Sequence, residues 1–103
     1  MPSLTAGRVR HTVAFTLAHP EGSAEESAFL TEAATLAAIP GVEAFELMRE
    51  TSPKNEYRFG ISMEFAGRDA YAAYNEHPDH VRFVNDRWLP EVSDFLEVDY
   101  ETL

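Results

Sequence analysis

The sequence predicts an α+β domain in which a four-stranded antiparallel sheet carries helices on one face. Three observations support this. Two stretches alternate apolar and polar residues with the period of a half-buried strand. Another repeats apolar residues at helical spacing behind a capping signal, and Pro-Gly or polar clusters punctuate the chain between such stretches. The 103 residues suit one domain, read as residues 1–103, able to bury a core but marginal if it must shelter a large cavity alone.

In the first strand Val9, His11, Val13, Phe15 and Leu17 alternate with Arg10, Thr12, Ala14 and Thr16, which puts His11 on the apolar face. His19-Pro20-Glu21-Gly22 reads as a turn with His19 solvated. Ser23 and Glu26 then have capping-box spacing. Phe29, Leu30, Ala33, Leu36 and Ala37 recur at helical intervals until Ile39-Pro40-Gly41 stops the helix. Val42 to Glu50 reads as a second strand with apolar residues on both faces, and Thr51 to Glu56 as a polar loop. The third strand alternates Tyr57, Phe59, Ile61, Met63 and Phe65 with Arg58, Gly60, Ser62 and Glu64.

A short helix is expected from about Gly67 to Asn75. Pro78 and Asp79 open another, in which Val81, Val84 and Trp88 share a face until Pro90 ends it. Ser93 to Glu101 supplies the last strand, with Phe95, Glu97 and Asp99 opposite Leu96, Val98 and Tyr100. The order strand, helix, strand, strand, helices, strand is a ferredoxin-like split βαβ layout. Its uncovered sheet face carries Thr12, Ala14, Thr16, Gly60 and Ser62, too small and regular a set for casual exposure. The simplest cover is a second copy, so a homodimer is expected, two sheets closing into a barrel.

Composition narrows the function. Eight Lys and Arg against 18 Asp and Glu give a net charge of −10, which opposes the counterion release that drives nucleic-acid binding. No nucleic-acid or membrane partner is expected. Without Cys, neither disulfides nor thiolate chemistry contribute. Met1 to Arg10 lacks the long apolar core of a signal peptide and no run approaches transmembrane length, so a cytoplasmic location is expected.

The chemistry concentrates in Tyr74-Asn75-Glu76-His77-Pro78-Asp79-His80, which holds two of the four histidines. A helix start accounts for Pro78 and Asp79, but not for His80, three residues after His77 on roughly the same face, nor for Tyr74. With His11 on the helix side of the first strand, a pocket between sheet and helices is expected. His11, Phe59, Ile61, Tyr74, His77, His80 and Trp88 would line it, an apolar wall with a few convergent polar groups. His80 suits a general base and the Tyr74 hydroxyl could polarise a carbonyl oxygen. Plainer roles compete. A strand His such as His11 is more often a hydrogen-bonded core residue, and His77 before Pro78 fits a helix cap. Trp88 suits core or interface, and Asp99 and Tyr100 read as strand-edge and dimer contacts.

Arg10-His11-Thr12-Val13, Ile39-Pro40-Gly41-Val42, Tyr74-x-x-His77-Pro78-x-His80-Val81 and Val98-Asp99-Tyr100 occur in this order. Together they resemble the stress-responsive dimeric α/β-barrel (Dabb) family over nearly the whole chain. The resemblance implies the same fold and a homodimer. It extends more distantly to the plant polyketide cyclase that makes olivetolic acid, which uses the second His of this segment as base in an intramolecular aldol closure. By that match His80 removes a proton alpha to a carbonyl, Tyr74 holds the carbonyl oxygen and His11 orients a small hydrophobic ketone or aromatic ligand. No cofactor or metal is then expected. The alternatives are a stress-associated dimer without chemistry, a cofactor-free monooxygenase, or a haem or metal site using His11, His77 and His80.

Overall fold

The structure, a computed structural model, describes residues 3–103. Met1 and Pro2, part of the N-terminal segment read for a leader, lie outside the described residues. In chain order the elements are β1 (Val9–Leu17), α1 (Ala24–Ala34) with a 3-10 turn (Thr35–Ala38), β2 (Glu43–Arg49), β3 (Phe59–Phe65), α2 (Arg68–Glu76), α3 (Pro78–Phe83) and β4 (Val92–Tyr100). Between α3 and β4 the chain continues through a π-turn (Val84–Trp88) and a short turn of helix (Leu89–Glu91). All strand pairs are antiparallel, in the order β2-β3-β1-β4, with the helices on one face.

The alternation read in β1 and β3 sorts the sheet into two faces. Val9, His11, Val13, Phe15 and Leu17 are buried beside Phe59, Ile61, Met63 and Phe65 under the helices, while Arg10, Thr12, Ala14, Thr16, Gly60, Ser62 and Glu64 turn to the other side. The core is strongly aromatic. Phe15 is fully buried, with the rings of Trp88, Phe59 and Phe29 centred 5.0, 5.6 and 5.9 Å from its own. Such tilted pairs contribute beyond the area they bury.

Local signals act largely as read. Ser23 Oγ accepts from the Glu26 N–H, but the Glu26 carboxylate reaches back to the Gly22 N–H rather than completing a capping box on Ser23. Gly41 has φ +91°, a left-handed conformation that suits glycine where the chain leaves α1 for β2. β2 carries a bulge between Glu43 and Glu46 and turns Phe45 and Leu47 toward the core, leaving Met48 on the far face.

Two expectations change. Val81 does not share the buried face with Val84 and Trp88. It is exposed, because the π-turn adds a residue to the helical repeat and rotates Phe83 and Trp88 inward instead. His19 is not merely solvated, since its Nε2 lies 2.7 Å from Glu91 Oε1, joining the turn after β1 to the end of the last helical segment. Among the described residues no helix is long and apolar enough to cross a membrane.

Candidate functional site

A cavity of about 260 Å³ opens between the helix-side face of the sheet and the helices. Val13, Ile61 and Met63 form its floor, while Leu36, Phe83, Val84, Trp88 and Phe95 supply most of the apolar wall. Its polar groups are His11 from β1, Tyr74 and Asn75 from α2, His80 from α3 and Glu97 from β4. The volume is just below the roughly 300–1,000 Å³ of sites for drug-sized molecules, which suits a ligand of about one ring.

His80 is held by the break between the two helices. His77 has extended backbone (ψ 135°), which ends α2 and lets Pro78 start α3. The turn aims the His80 ring back at α2, where its Nδ1 lies 3.1 Å from the Asn75 carbonyl oxygen. A carbonyl only accepts, so Nδ1 carries the hydrogen and Nε2 keeps its lone pair. Burial is the largest influence on this imidazole and lowers its pKa below the ordinary 6.5. The Asn75 carbonyl raises it, the charge of His11 lowers it and that of Glu97 raises it. The ring is therefore neutral at pH 7, with an acceptor nitrogen available.

Tyr74 packs against it, with ring centroids 4.4 Å apart, and is only 2% exposed. Burial, reinforced by the Glu97 carboxylate, raises its pKa far above the usual phenol value of 10, so its hydroxyl remains a hydrogen-bond donor at any physiological pH.

His11 is fixed from behind. Antiparallel pairing sets Asp99 directly opposite it, and His11 Nδ1 lies 2.6 Å from Asp99 Oδ1 and 2.9 Å from the Tyr71 hydroxyl oxygen. Tyr71 in turn donates to Asp99 Oδ2 at 2.9 Å. With a carboxylate accepting, Nδ1 carries a hydrogen in either protonation state, and Nε2 is the second ring nitrogen. Tyr71 also has its pKa raised, chiefly by burial and then by the bond to Asp99, which keeps it a donor.

The cavity brings together His11, Ile61, Tyr74, His80 and Trp88, but neither Phe59 nor His77 lines it. Phe59 lies further along β3, against Phe15 and beneath the Arg49 guanidinium. His77 is the N-cap of α3, its Nδ1 accepting from the Asp79 N–H at 3.1 Å. Asp99 lies on the edge strand β4 and is also the partner of His11 on the helix side, whereas Tyr100 points to the far face. Asn75, Glu97 and Tyr71 were not foreseen. The alternation in β4 groups Glu97 with Phe95 and Asp99, but only the register against β1 sets Glu97 opposite Val13 and thus toward the cavity. Among the described residues no group of three or more His, Asp or Glu side chains is arranged to hold a metal ion.

The four-stranded antiparallel sheet with helices on one face defines an α+β protein of ferredoxin-like fold. The chain belongs to the Stress responsive A/B Barrel Domain family, Dabb, whose model matches residues 9–102. Among solved structures it is similar to a Dabb family protein with a ferredoxin-like fold from Mesorhizobium loti, at 58% identity and a TM-score of 0.92, covering 94% of this chain and 98% of that one. The hydroxynitrile lyase of Passiflora edulis shares the fold at 12% identity and a TM-score of 0.84, covering 96% of each chain. So does a dimeric ferredoxin-like protein of unknown function from Thermobifida fusca, at 22% identity and a TM-score of 0.78, covering 97% of this chain and 95% of that one. No curated protein matches the chain.

Proposed function

We propose that the protein is a small-molecule enzyme of the cyclase or isomerase type, in which His80 Nε2 removes a proton alpha to the carbonyl of a small ketone-bearing or aromatic ligand. The observation that carries this reading is the Nδ1 contact of His80 with the Asn75 carbonyl, which leaves Nε2 as a proton acceptor in an apolar cavity that the Tyr74 ring also lines. The C–H electron pair becomes the enolate, the proton moves to Nε2, and the Tyr74 O–H donates to the enolate oxygen. Returning the proton to another carbon gives an isomerase. Attack of the enolate carbon on a second carbonyl of the same molecule, with the new alkoxide taking the proton back from His80, gives a cyclase. Both steps balance without an oxidant or reductant.

The pH dependence tests the assignment. Burial, joined by the charge of His11 on β1, outweighs the Asn75 carbonyl and the Glu97 carboxylate on β4 in setting the His80 pKa below 6.5. Protonation removes the lone pair, so the rate is expected to hold through neutral pH and fall only as pH drops through a midpoint below 6.5. Deuterium exchange into the methyl group of 3-hydroxyacetophenone, followed by NMR across pH, gives the profile. A midpoint at or above 6.5 assigns the base elsewhere.

The same reading includes a homodimer, with a second copy covering the far face of the sheet. Leu96 and Tyr100 are each 52% exposed there and Met48 42%, around the small residues Thr12, Ala14, Gly60 and Ser62. Large apolar side chains gathered on one regular face favour a self-complementary contact. Light scattering at micromolar concentration is expected to give twice the chain mass for the wild type and the single-chain mass for Leu96→Arg, which buries a charge in the contact. A monomeric wild type contradicts the dimer.

A further inference from the structure

The cavity wall has an unbalanced set of polar groups. His80 Nε2 and the Glu97 carboxylate accept, the Tyr74 hydroxyl donates, and the Asn75 amide can do either. Glu97 therefore brings a negative charge to the wall with no Lys or Arg among the described residues that line it. A ligand carboxylate would meet this charge across an apolar space, and at about 6 Å, with screening at the open rim, like charges weaken binding by about tenfold.

We propose that Glu97 determines specificity by turning carboxylates away, so that the site selects a neutral, ring-sized compound bearing both a carbonyl and a hydroxyl. The carbonyl oxygen accepts from Tyr74, the hydroxyl donates to Glu97, and the apolar ring lies against Ile61, Phe83 and Trp88. The proposal rests on the cavity being a ligand site, as the proposed function requires, but not on proton abstraction.

The test is therefore a binding measurement, which separates a failure of this proposal from a failure of His80 as base. By calorimetry, wild-type protein is expected to bind 3-hydroxyacetophenone at least tenfold more tightly than the similarly sized anion 3-hydroxybenzoate. Glu97→Gln is expected to close that gap to within about threefold and Glu97→Lys to reverse it. Glu97 is exposed at the cavity rim, so both variants retain the core. Equal affinities in the wild type, a gap unchanged in Glu97→Gln, or no binding of either compound overturns the proposal. Wild-type selectivity without proton exchange leaves it standing and removes His80 from the chemistry instead.

Discussion

His80→Ala is expected to fold normally and to exchange the methyl protons of 3-hydroxyacetophenone about 10²- to 10⁴-fold more slowly than the wild type, the usual worth of a positioned general base. The ring it removes lies at the cavity wall rather than in the aromatic centre of the core, and its hydrogen bond goes to a carbonyl that ends α2. The cost in stability is the contact with Tyr74, about 1 kcal/mol. Thermal unfolding and light scattering run beside the rate measurement separate loss of the base from loss of the fold. A rate within threefold of wild type would transfer the role to His11, the other imidazole on the cavity.

Phe15→Ala is expected to cost about 3–5 kcal/mol, close to the whole stability of a small domain. Phe15 is fully buried where β1, β3, α1 and the π-turn meet, and its removal leaves Phe29, Phe59 and Trp88 facing a void. Urea unfolding checks the figure. A loss below about 1 kcal/mol would mean that the layers close over the gap. Trp88 belongs both to this cluster and to the cavity wall, so the same substitution is expected to loosen the ligand site.

How much was legible in the sequence follows from the range of the interactions involved. β1 and β3 were legible almost residue by residue, because one buried face imposes a period of two on their side chains. The start of α1 at Ser23 and the break at His77-Pro78 were legible because capping and proline geometry act within a few residues. The inward face of α3 was not, since the π-turn changes the repeat without any Pro or Gly at its start, and Val81 was assigned to the wrong side. The candidate site divides along the same line. His11, Tyr74 and His80 stand out by residue type and local setting. The Asp99 and Tyr71 contacts to His11 span 88 and 60 residues and depend on strand register and helix placement, which no local signal encodes. Glu97 was hidden for the same reason, and Phe59 and His77 show the reverse, where a fitting residue type on the right element lies outside the cavity.

Deuterium incorporation into 3-hydroxyacetophenone in heavy water at pH 7, followed by proton NMR with wild-type protein and with buffer alone, measures proton abstraction directly. A neutral His80 beside Tyr74 predicts loss of the methyl signal at a protein-dependent rate, with the ring protons unchanged. A methyl signal that decays no faster than in buffer, in protein shown by calorimetry to have the ligand bound, would contradict it.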